Sequence, residues 1–124
     1  MRLWHQELLT LLPRAQILGQ HRECCALRGM GWGRKHSTVD YVFTHSAKRL
    51  ADFHELVLRE MENRGYKPDQ QWHCPEYRGK NTLPWSGTWP CKQYSSADGL
   101  IYPEHDNVYR DECLANLRRK GVEL

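Results

Sequence analysis

The stretch Ser46-Ala47-Lys48-Arg49-Leu50-Ala51-Asp52-Phe53-His54-Glu55-Leu56-Val57-Leu58-Arg59-Glu60-Met61-Glu62-Asn63-Arg64-Gly65 decides the fold class. Ser46 is a side chain suited to accept from the free N–H groups that open a helix. Leu50, Phe53, Val57 and Met61 recur three to four residues apart and so share one face. Gly65 then stops the run. The spacing predicts a helix over Ser46–Arg64 with an apolar stripe that must be covered by other elements.

Helical patterns on either side supply the cover. Leu3–Leu12 is read as a short helix with Leu8, Leu11 and Leu12 on its apolar side. Pro13 suits the first turn of a second helix, over Arg14–Leu27, because its missing N–H costs nothing there. Ala15, Leu18, Cys25 and the stem of Arg22 would line one face of that helix, with Arg28 and Gly29 at its end. Gln16, Gly19, Gln20, Glu23 and Leu27 share another face, which is polar and carries a glycine that permits close approach. Asp106 caps a last helix to about Lys120, with Tyr109, Cys113, Leu114 and Leu117 inward and Gly121 after it. Val39, Tyr41 and Phe43 fit a short strand or a buried connector equally. Between Tyr66 and Pro103 no period is visible, and this segment holds five prolines and Trp72, Tyr77, Trp85, Trp89, Tyr94 and Tyr102. So long a loop, this aromatic, is expected to wrap the core. The expected architecture is all-α: one compact domain of three to four helices over residues 1–124, with a long aromatic, proline-rich loop.

With 124 residues, 40% hydrophobic and 27% charged, the chain has the composition of a soluble globular protein with one modest core. The net charge of +3 does not by itself announce nucleic acid. Its distribution is uneven: Arg14, Arg22, Arg28, Arg34 and Lys35 surround the one acid between positions 14 and 35, Glu23. No run approaches the ~20 apolar residues of a membrane span. The apolar start is broken by Gln6, Glu7 and Pro13, which argues against a signal peptide. Five cysteines without C-x-x-C spacing suggest reduced thiols and a cytoplasmic protein.

A lone carboxylate among cations suits a site that binds a polyanion and also moves a proton, since an acid otherwise repels phosphate. Most mid-helix glutamates are simply solvated, but Glu23 shares its face with Gly19 and adjoins Arg22. The following loop, Gly29-Met30-Gly31-Trp32-Gly33-Arg34-Lys35-His36, reads either as a phosphate-binding turn with a stacking plane or as a solvated connector. It meets neither the P-loop nor the dinucleotide spacing. The loop tryptophans anchor the segment to the core or stack on bases, with Trp85 and Trp89 the candidates for the second role. Zinc ligation by Cys24 or Cys25 with His73, Cys74, Cys91 and Cys113 is disfavoured by wide, irregular separations. No metal or cofactor is expected.

The chain resembles the pyrimidine-dimer DNA glycosylase family of the phage and bacterial endonuclease V type. The likeness rests on Leu8 to Glu23 ending in Arg22-Glu23, on Arg34-Lys35-His36, on Lys48 to Lys67 with Asn63-Arg64-Gly65-Tyr66, and more weakly on Ile101 to Val122. It implies a compact all-α enzyme that cuts damaged duplex DNA with its own N-terminal α-amine, which attacks C1′, expels the base and leaves an imine for β-elimination. An α-amine with a pKa near 7.7–8.0 keeps a neutral fraction that a lysine lacks. By resemblance Met1 and Glu23 are catalytic. Arg2, Arg22, Arg28, Arg34, Lys35 and His36 hold the DNA backbone, and the protein acts as a monomer. The chain departs from the family at three places. The bulky Arg2 implies that Met1 is retained. Ala26 stands where a cation is expected, leaving Arg28 as nearest substitute. The chain ends Gly121-Val122-Glu123-Leu124 rather than in an aromatic basic tail. A non-catalytic nucleic-acid-binding module on the same scaffold is the alternative.

Overall fold

The computed structural model describes residues 2–86 and 99–124. Met1, the expected nucleophile, lies outside these residues, as do Trp89, Cys91 and Tyr94 of the aromatic segment. Among the described residues there are three α-helices and no strand: α1 Arg14–Arg28, α2 Ala47–Asn63 and α3 Asn107–Arg119. Three 3₁₀ turns, Gln6–Leu8, Asp40–Thr44 and Gln70–His73, mark the connections. The fold is all-α, and no described helix is long and apolar enough to cross a membrane.

The central helix α2 forms as its pattern requires. Ser46 accepts from the Lys48 N–H at 3.1 Å. At the other end Gly65 takes φ +88°, a left-handed value open to glycine. Its N–H reaches the Glu62 carbonyl while that of Tyr66 reaches Met61, the paired bonds of a Schellman stop. Leu50, Phe53, Val57 and Met61 are buried as the spacing demands, and Ala47, Ala51, His54 and Leu58 widen the buried face. α3 behaves alike: Asp106 accepts from the Tyr109 N–H at 2.8 Å, and Cys113 and Leu117 are buried.

α1 packs against α2 through a face rotated from the expected one. Ile17, Gln20, Cys24, Leu27 and Arg28 are buried, whereas Ala15 is exposed and Leu18 and Cys25 are half-buried. The spacing of that face is helical, but two of its members are polar. Gln20 and Arg28 enter the interior because each finds backbone partners there, which offsets the cost of leaving water.

The N-terminal segment forms no helix beyond the single turn Gln6–Leu8. The backbone groups of Arg2 and Trp4 bond to the side chain of Gln20, and His5 Nδ1 accepts from the Glu7 N–H. Tertiary partners thus replace the helical ladder. Leu3, Leu8, Leu9 and Leu12 reach the core while Leu11 remains 59% exposed, against the expectation that it faces inward. The Val39–Phe43 region proves to be a connector: Val39, just before a 3₁₀ turn, and Val42, within it, are buried.

Candidate active site

Four separated pieces of chain bound a cleft of about 380 Å³. The N-terminal segment contributes Arg2 and Trp4, α1 contributes Ala15, Gln16, Gly19, Gln20 and Glu23, the connector after it contributes Thr38, and the end of α3 contributes Asn116 and Lys120. The polar face of α1 read from the sequence is therefore the cleft wall, except for Leu27, which belongs to the core. At Gly19 a side chain would meet nothing nearer than the Arg22 guanidinium at 3.8 Å, so the glycine leaves the floor of the cleft open.

Glu23 Oε2 is buried and has no hydrogen-bond partner among the described residues. A buried carboxylate oxygen without a donor is costly in a structure that only has to fold. It belongs where a ligand or another group supplies the donor.

The N-terminal segment is held beside this acid by Gln20, which is 1% exposed. Its Oε1 accepts from the Trp4 N–H at 2.6 Å, and its Nε2 donates to the Arg2 carbonyl at 3.1 Å. Arg2 is fixed from the other side by α3. Its NH1 donates to Glu112 at 3.4 Å, and with the Asn116 amide oxygen turned toward it NH2 donates at 2.9 Å. The guanidinium lies over the rings of Trp4 and Tyr109, 5.9 and 5.8 Å from their centroids. The Tyr109 hydroxyl in turn donates to the Leu3 carbonyl.

The structure brings Arg2 and Glu23 into one cleft and leaves Arg22, Arg34, Lys35 and His36 outside its lining, all four exposed. The last three lie on a turn where the His36 N–H donates to Asp40 at 2.7 Å and Thr38 bonds His36 Nδ1 at 2.9 Å. Arg28 is a correction. It is fully buried, and its terminal nitrogens donate to the carbonyls of Trp72 (2.9 Å), Cys74 (2.6 Å) and Tyr77 (2.8 Å) and meet His54 Nδ1 at 2.9 Å. Such a guanidinium clamps a loop and is out of reach of a phosphate. The loop answers in kind, because Arg78 donates to the carbonyls of Arg28 and Gly29 at the end of α1.

Trp72 and Tyr77 are anchors in this clamp: their rings lie 4.7 Å apart, and Arg28 sits over Trp72 at 5.1 Å. Trp85 packs edge-on against Trp32 and under Arg78. Trp4, Thr38, Asn116 and Lys120 line the cleft without having been singled out from the sequence. Lys120 and Asn116 share a helix face at i, i+4, which was the one signal available. The cysteines Cys24, Cys25, Cys74 and Cys113 are free thiols. One ligand grouping also escaped the sequence reading: His21, Cys25 and His54 place their donor atoms within 4.8 Å of one another.

Fold and site together define an all-α protein with an acid-bearing cleft built against its own N-terminal segment. The family described as pyrimidine dimer DNA glycosylase matches residues 1–74, and the chain belongs to that family. The matched residues carry Glu23, Gln20 and the N-terminal segment, while the α3 wall of the cleft lies beyond them. No curated protein and no solved structure matches the chain.

Proposed function

We propose that the protein removes damaged bases from UV-irradiated duplex DNA and cleaves the resulting abasic site, using the α-amine of Met1. The carrying observation is the unpartnered, buried Glu23 oxygen in a cleft that is also lined by Arg2 and Trp4, the segment just after Met1. In this reading the neutral amine attacks C1′ of the damaged nucleotide, and the glycosidic bond breaks as the base leaves with its electron pair. The amine gives up a proton and the C1′–O4′ bond of the sugar ring opens, O4′ taking a proton, to leave the imine; loss of a C2′ proton then expels the 3′ phosphate by β-elimination. Glu23 moves those protons and stabilises the cationic sugar. The exposed cations Arg22, Arg34, Lys35 and His36 hold the phosphate backbone, and Arg2 acts at the cleft. The substrate is damaged double-stranded DNA, bound by one chain acting alone without cofactor.

Borohydride trapping on a duplex carrying a single cyclobutane dimer tests the reading. A covalent protein–DNA adduct is expected with wild type, none after acetylation of the N-terminus, and little strand cleavage with Glu23→Gln. An adduct that survives acetylation, or cleavage that survives Glu23→Gln, overturns it. The non-catalytic alternative gives salt-dependent binding and no adduct.

A further inference from the structure

We propose that His21, Cys25 and His54 form a zinc site that staples α1 to α2 behind the catalytic face. His21 and Cys25 stand four residues apart on α1, so both point to the same side, and His54 faces them from α2. His21 Nδ1 lies 2.9 Å from His54 Nε2, and the Cys25 sulfur lies 3.8 Å and 4.0 Å from those two atoms. A tetrahedral zinc with bonds of about 2.0–2.1 Å to nitrogen and about 2.3 Å to sulfur spaces its ligands about 3.3 Å (N to N) and about 3.6 Å (N to S) apart. The three pairwise distances therefore lie within a few tenths of an ångström of those a shared zinc requires, and since the sulfur is also 3.8 Å from His21 Nε2, a turn of that ring would aim Nδ1 at the metal. Two imidazoles and a thiolate form a donor set suited to zinc. His21 and Cys25 are half-buried, and a water would supply the fourth ligand.

Burial favours the ligand form of the two imidazoles and opposes that of the thiol. Burial holds both imidazoles below their usual range, leaving them neutral as ligands must be. Burial pushes the Cys25 thiol up to about 12, so without metal it keeps its proton. Zinc binding expels that proton, and affinity falls as pH falls. His54 must also change tautomer. Arg28 NH1 is a donor 2.9 Å from Nδ1, so in the metal-free packing Nδ1 accepts and the ring proton sits on Nε2, toward His21. Coordination through Nε2 moves that proton to Nδ1 and ends the bond from Arg28. Arg28 keeps its three carbonyl partners. Arg28 NH1 must then turn away from the new Nδ1–H toward its Trp72 carbonyl, a rearrangement that the three coordination bonds have to offset.

His21 and Glu23 are two residues apart, about 200° around the helix. The metal thus grips the back of α1 while Glu23 faces the cleft, which makes it a support rather than a participant in base removal.

The full chain is purified without chelator or affinity metal, dialysed with zinc, and its metal content measured. About one zinc per chain is expected. After chelation, cobalt(II) titration should produce the near-ultraviolet sulfur-to-cobalt band and the visible bands of a tetrahedral ion. Cys25→Ser should remove the sulfur band, and His54→Asn should weaken binding at least about tenfold. Cys74→Ser should change nothing. Folded wild-type protein that retains less than about a tenth of an equivalent of zinc and gives no sulfur band overturns the proposal, as does a band that survives Cys25→Ser. The wild-type measurements decide even where a variant fails to fold.

Discussion

Gln20, buried in the middle of α1, binds both sides of the chain segment that leads to Met1: it accepts from the Trp4 N–H at 2.6 Å and donates to the Arg2 carbonyl at 3.1 Å. One side chain thereby fixes the height and direction of the N-terminal segment relative to Glu23, one helical turn along the same face. Gln20→Leu removes both bonds and leaves two polar backbone groups without partners. A loss of about 1–3 kcal/mol in urea unfolding is expected, with a larger fall in the yield of trapped adduct than in DNA binding. Equal losses in both would show that Gln20 serves stability alone.

Glu23→Gln separates chemistry from folding. Because Glu23 Oε2 makes no hydrogen bond among the described residues, the amide should leave stability within about 0.5 kcal/mol of wild type. Strand cleavage should nevertheless fall by about 10²-fold or more. Single-turnover cleavage and thermal unfolding on the same preparation check the pair of outcomes, and a destabilised but active variant contradicts the assignment.

Two arginines should answer oppositely. Arg34→Ala removes an exposed cation, so the slope of log K against log salt should become shallower by about 0.9 with stability unchanged. Arg28→Met strips four buried contacts and should cost about 3 kcal/mol or more. Where Arg28→Met still folds, at reduced temperature, its salt slope should match wild type. Salt-titrated binding of a plain duplex supplies both slopes.

His105 predicts an acid-side loss of stability. Burial holds its imidazole down at about 3 in the folded protein, far below the usual 6.5. Its Nδ1 accepts from the Gln6 N–H at 3.3 Å, so Nε2 carries the proton toward the Tyr41 hydroxyl at 2.7 Å. Between about pH 6.5 and 3 the unfolded chain binds a proton that the folded chain refuses, and stability falls as pH falls through that window. His73 has the opposite sign. Bonded by Glu62 and Glu55, its imidazole is raised above the usual value, so its small, half-exposed contribution is present at low pH and lost as pH rises. NMR titration of the ring protons should find His105 unprotonated at pH 4.5 and His73 titrating above its ordinary value.

Much of the helical framework was legible in the sequence because local rules govern it. Ser46 and Asp106 are capping side chains whatever surrounds them, Gly65 relieves a left-handed turn, and Leu50 to Met61 repeat at the helical period. The cleft face of α1 was legible for the same reason: Gln16, Gly19, Gln20 and Glu23 share a side by spacing alone. The apolar stripe of α1 was misread because Gln20 and Arg28 are polar yet buried, and no local rule marks a polar residue for the interior. Their partners are backbone groups 16 to 49 residues away.

By itself, then, the sequence determined an all-α chain with a lone acid on an open helix face, since caps, glycines and periodicity act between near neighbours. Only the tertiary structure decided what surrounds Glu23. It turned the start of the expected Leu3–Leu12 helix into a strap held by Gln20, and it removed Arg28 from the phosphate-facing cations to clamp the Trp72–Tyr77 loop. It also set His54 against His21 and Cys25. The reason is common to all three: a buried polar group must find its partner wherever the folded chain brings one, and that meeting is set by packing across the chain.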